Sequence, residues 1–67
     1  MIRLQREREA RGLSKAKLSR LADINATYVY WAEGRGFQLG QEHLRKLAAA
    51  LGLPQEEAPT LIEEVES

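Results

Sequence analysis

The chain has 67 residues, ten Lys and Arg balanced by ten Asp and Glu, and no cysteine. Its length allows one domain, near the lower limit at which a chain buries enough surface to fold unaided, and the missing thiols exclude disulfides and thiolate metal sites. The opening stretch MIRLQRERE has no apolar h-region and no apolar run approaches the roughly 20 residues of a membrane span, so a soluble, cytoplasmic protein is expected.

The zero net charge is unevenly spread. Residues 1–46 hold all ten Lys and Arg against five acids, Glu7, Glu9, Asp23, Glu33 and Glu42, whereas residues 47–67 hold five Glu and no base. Such segregation permits a positive surface that attracts phosphates. It is equally compatible with solvated helix faces followed by an acidic tail.

The patterning predicts an all-α fold of five helices. Residues 2–11 form the first, ending at Gly12, a residue suited to the left-handed position after a helix; its apolar stripe is thin, with Leu4, Ile2 and Ala10. The second spans 14–22 and the third 25–33. Ser14 and Asn25 are both N-cap residue types set just ahead of apolar-periodic runs, where a side-chain oxygen can accept a first-turn amide. Leu13 and Leu18 flank the first cap as Ile24 and Val29 flank the second. These are two hydrophobic staples, and together they define the corner between consecutive helices. Leu18, Leu21 and Ala22 make the buried stripe of the second helix, with Lys15, Lys17 and Arg20 off it, while Asp23 takes a left-handed turn position.

At 100° per residue the third helix puts Asn25, Val29, Ala32 and Glu33 on one side and Thr27, Tyr30, Trp31 and Gly34 on the other. An outward face carrying a Tyr and the only Trp of the chain calls for a partner. The stretch GRGFQLG, from Gly34 to Gly40, is predicted to be a loop pinned to the core by Phe37 and Leu39. Residues 41–51 give the clearest helical signal, with Leu44, Leu47, Ala48 and Leu51 at i, i+3, i+4 and i+7, closed by Gly52. In the acidic segment 54–67, Pro59 would break a continuous helix, so a turn at 54–58 and a short helix over 59–65 are expected. Leu61, Ile62 and Val65 there either complete the core or contact a second copy.

Taken together, the run EARGLS from Glu9 to Ser14, the L-x-x-L-A of Leu18 to Ala22, Ile24, Tyr28-Val29, Glu33 and the block LRKLAAALGL from Leu44 to Leu53 resemble the phage repressor and Cro (XRE-like) type of helix-turn-helix domain. The resemblance implies a compact, lambda-repressor-like five-helix DNA-binding domain with residues 1–67 as one unit. It implies that Arg8 and Glu33 form a partly buried ion pair joining the first and third helices. Phosphate contacts would come from Ser14, Lys15, Asn25 and Arg35, and base-edge contacts from Ala26, Thr27, Tyr30 and Trp31. The chain departs from the family pattern in having Lys15 where Gln is usual, Asp23 for the turn Gly, and Glu7 for an apolar residue. Its reading face also lacks the Arg, Lys, Gln and Asn side chains that make bidentate base contacts, so direct readout is expected to be modest or supplemented by DNA shape.

The leading expectation is therefore a DNA-binding transcriptional regulator that inserts helix 25–33 into the major groove, as a homodimer on a two-fold symmetric operator. The alternative is a protein-interaction module that kept the fold, with Tyr30 and Trp31 anchoring a protein partner. An enzyme is not expected: His43 is the single His, the C-terminal Glu cluster is not enclosed, and GRGFQLG follows no strand and so is no nucleotide loop. No metal or cofactor is expected.

Overall fold

Two hydrophobic ridges set the architecture: Leu44, Leu47, Ala48 and Leu51 on one helix, and the Ala58 and Leu61 side of the segment after it, close on each other and on the three helices that precede them. The computed structural model describes residues 1–66. Its elements are α1 (Arg3–Ala10), α2 (Lys15–Ala22), α3 (Ala26–Arg35), α4 (Gln41–Ala50) and a final 3-10 helix (Gln55–Ile62). Among the described residues there is no strand, only an isolated antiparallel bridge between Ile2 and Glu64. The all-α, five-helix fold is thus the one the patterning predicts. No helix among the described residues is long and apolar enough to cross a membrane.

Leu4, Leu18, Val29, Leu47 and Leu61 are the largest fully buried side chains, one from each helix, and they meet in a single core. Leu13 and Ile24, the outer members of the two staples, pack half-buried against it. The predicted stripe of α2 is corrected at one position: Leu21 is 57% exposed and Ser19 is buried in its place. Ser19 Oγ donates to the Ala16 carbonyl at 2.7 Å and its own carbonyl accepts the Ile24 amide at 3.0 Å. A short, internally satisfied side chain therefore sits at the inside of the corner, and the bulkier Leu21 turns out. Ala10 likewise lies exposed rather than in the α1 stripe.

The C-terminal segment also differs from expectation. Residues 55–62 form one 3-10 run that contains Pro59, in place of a turn followed by a helix over 59–65. The run is held by the Glu57 amide, which donates to the Pro54 carbonyl at 3.0 Å, and by Thr60 Oγ1, which donates to the Glu57 carbonyl at 2.6 Å, while Pro59 supplies no amide donor. Leu61 has no exposed surface and belongs to the core, so it offers nothing to a second copy. Ile62 packs half-buried beside it. Val65 is half-buried in an extended stretch, its amide bonded to the Met1 carbonyl at 2.9 Å.

Helix α1, thin in apolar residues, is held instead by arginines. Arg3 donates from Nη2 to Glu57 at 2.9 Å, from Nη1 to Thr60 at 2.7 Å and from Nε to Glu7 at 3.1 Å, clasping α1 to the 3-10 helix. Glu7 also accepts from Arg11 Nη1 at 2.7 Å. The Arg11 hydrogen bond, aided by that from Arg3, outweighs burial and holds the Glu7 carboxyl below its ordinary value of 4.5. A depressed folded-state pKa stabilises the fold above the unfolded value and is lost as pH falls through the folded one. Glu7→Gln is therefore expected to cost stability at neutral pH and to make the remaining stability less acid-sensitive below 4.5. Urea denaturation across that window checks this: the parent and variant curves should converge as the pH falls, and parallel curves would contradict it.

Candidate nucleic-acid interface

Two local signals build the central helix pair. Ser14 Oγ accepts the Lys17 amide at 3.0 Å at the start of α2, and Asn25 Oδ1 accepts the Thr27 amide at 2.9 Å at the start of α3. Between the helices Asp23 adopts the left-handed conformation, φ 58° and ψ 48°, the only positive φ outside glycine among the described residues. That residue ends α2 and turns the chain within the three residues Asp23, Ile24 and Asn25, and α3 then packs across α2. The pair is a helix-turn-helix in the geometric sense.

The inner side of α3 is fixed twice. Val29 and Ala32 enter the core, and Glu33 receives both Arg8 Nε and Arg8 Nη2 at 2.9 Å, a bidentate pair whose side chains are 10% and 3% exposed. Arg8 Nη1 donates in addition to the Leu13 carbonyl at 2.8 Å, so one guanidinium ties α1, the loop before α2 and α3 together. The Glu33 hydrogen bond raises the Arg8 pKa further, so the guanidinium stays charged.

With that side anchored, Thr27, Tyr30, Trp31 and Gly34 face outward, all exposed. Tyr30 is 52% exposed and carries the Lys15 ammonium 4.9 Å from its ring centroid, a cation–π contact that links the first residue of α2 to the outer face of α3. Trp31 carries the Arg35 guanidinium at 5.8 Å. Ala26 lies half-buried in the first turn, beside the exposed cap Asn25. The eight positions named from the sequence as phosphate- or base-facing therefore fall on the two helix N-termini, the outer side of α3 and its last turn, with Lys15 brought to Tyr30 and Arg35 to Trp31.

One element of this face escaped the sequence reading. Phe37, expected to pin the loop to the core, is 41% exposed and packs edge-on against Trp31, ring centroids 5.5 Å apart. Its amide donates to the Trp31 carbonyl at 3.2 Å, beside the left-handed Gly36 that ends α3. An apolar residue directly after a helix-ending glycine commonly folds back on the last turn, and that spacing was the available signal. Behind the pair, Tyr28 stacks on His43 at 4.3 Å and meets Trp31 edge-on at 6.2 Å, so the indole is braced from two sides. Leu39, by contrast, is buried as the patterning predicts.

The electrostatics of the same helices are one-sided. Arg3, Arg8, Arg11 and Lys46 are bound to carboxylates, but among the described residues Arg6, Lys15, Lys17, Arg20, Arg35 and Arg45 have no acidic partner within ion-pair distance. Four of these six, Lys15, Lys17, Arg20 and Arg35, belong to α2 and α3. Helix N-termini add unpaired amides and a positive dipole end at Lys15 and at Ala26. No three His, Asp or Glu side chains among the described residues group as metal ligands would.

A capped, sharply turned helix pair whose second helix is anchored inward and bare outward defines a helix-turn-helix domain, the kind of module with which DNA-binding regulators present a helix to the major groove. The family described as helix-turn-helix domain has a model that matches residues 2–61, and the chain belongs to that family. No curated protein and no solved structure matches the chain.

Proposed function

We propose that the protein is a sequence-preferring, DNA-binding transcriptional regulator that lays α3 in the major groove. The observation that carries this reading is the coincidence of the outward Thr27, Tyr30 and Trp31 with four unpaired cations and two capped N-termini, all on the same two helices. Ser14, Lys15, Asn25 and Arg35 bind phosphates and set the register. Ala26 and Thr27 meet thymine methyls, the Tyr30 hydroxyl and the Trp31 indole N–H supply hydrogen bonds to base edges, and the paucity of bidentate readers leaves part of the selectivity to DNA shape. Two copies engage half-sites one helical turn apart, with Ile62 and Val65 as the remaining C-terminal apolar residues for contact between them.

Trp31 is the single Trp, so its emission reports on the proposed face directly. Titration with duplex DNA is expected to change that emission saturably, with an affinity that falls steeply as salt rises. Unchanged emission, together with no mobility shift of the duplex, would redirect the reading to a protein partner held by Tyr30 and Trp31.

A further inference from the structure

The outer face of α3 contains a residue that the fold itself does not call for. Gly34 lies within the helix, and glycine is the least helix-favouring residue after proline. Gly12, Gly36 and Gly52 earn their places with φ of 66°, 67° and 73°, but Gly34 has ordinary helical backbone, and a Cβ built on it meets nothing within 4 Å beyond its own helix and chain neighbours. Neither backbone strain nor internal packing explains the missing side chain.

Its surroundings point outward. Side chains on a helix lean toward the N-terminus, so Tyr30 and Trp31, four and three residues earlier, tilt away from Gly34 and leave its backbone uncovered. Arg35, one of the free cations, is next to it and leans over Trp31 at 5.8 Å. Helix α3 has ten residues, hence a length of about 15 Å, against a major groove about 12 Å wide. With its first turn at the base edges, its last turn lies against the wall of the groove, which is a sugar–phosphate strand.

We infer that Gly34 is the point at which one DNA strand crosses α3 in van der Waals contact, the absent side chain admitting the sugar–phosphate backbone and the adjacent Arg35 meeting its phosphate. This rests on the DNA-binding reading above and adds to it a position at which size, not hydrogen bonding, governs affinity. Gly34→Ala and Gly34→Leu test it, each measured for urea stability and for binding to the duplex that the parent protein recovers from a randomised pool. Both variants are expected to fold at least as stably as the parent. Affinity should fall about tenfold for Ala and about a hundredfold for Leu, the range that overfilling a close-packed contact produces. Parent-like affinity in both folded variants overturns the inference alone; recovery of no duplex by the parent overturns it together with the DNA-binding reading.

Discussion

Replacing Glu33 by Ala is expected to cost about 3–5 kcal/mol of folding stability, because it removes the bidentate partner of the buried Arg8 guanidinium and leaves it only the half-exposed Glu9 carboxylate at 3.6 Å. The geometry supports so large an effect: both N–H···O distances are 2.9 Å and the Glu33 side chain is nearly sealed from water. A domain of this length has only about 3–10 kcal/mol in total, at 0.05–0.15 kcal/mol per residue. The variant should therefore be largely unfolded or close to it at 37 °C. Two comparisons separate the loss of a pair from the cost of an orphaned charge. Arg8→Met combined with Glu33→Leu should recover most of the stability, since a buried ion pair is worth little more than well-packed apolar residues of similar volume. Glu42→Ala, which removes a long, exposed i,i+4 contact to Lys46 at 3.8 Å, should change stability by no more than about 0.5 kcal/mol. Urea denaturation followed by circular dichroism measures all three, and a Glu33→Ala loss no larger than that of Glu42→Ala would contradict the anchoring role.

Reversing charge at Lys15 and Arg35 together is expected to abolish most DNA affinity while leaving the fold intact. Neither residue is in an ion pair among the described residues, so Lys15→Glu with Arg35→Glu removes no internal salt bridge. Each lost phosphate contact lowers the slope of log affinity against log salt by about 1, so the double variant should show a slope smaller by about 2 and an affinity at least two decades weaker near physiological salt. The same pair also discriminates between partners. A protein docked on Tyr30 and Trp31 through apolar burial would tolerate the reversal far better than a polyphosphate would, so an interaction that survived it would not be phosphate-based.

Most of the fold was legible because its decisive signals are local. Ser14, Asn25 and Asp23 each act within a few residues of themselves, through a cap or a left-handed turn, and the i, i+3, i+4, i+7 leucines of α4 need no knowledge of what covers them. The misreadings occur where a distant contact decides. Leu21 fits the stripe of α2 by spacing, yet the close corner with α3 admits only the short Ser19. Gly34 and Arg35 look like loop by composition, but α3 runs through them to a left-handed Gly36, and Phe37 closes back on Trp31. Pro59 argues against a continuous α-helix, but the segment around it is a single 3-10 run, Gln55–Ile62. At the interface, chemistry was readable from residue type and helical spacing, whereas the bracing of Trp31 by Phe37 and Tyr28 depends on where a glycine-rich connection travels.

The central claim, that α3 reads duplex DNA, is tested most directly by selection from a randomised duplex pool at near-physiological salt, where non-specific phosphate binding is weak and specific complexes persist. Enrichment of a two-fold symmetric site with half-sites about 10 base pairs apart centre to centre is expected, with loss of that enrichment in the Lys15→Glu, Arg35→Glu variant. Recovery of no motif by folded parent protein would contradict the claim.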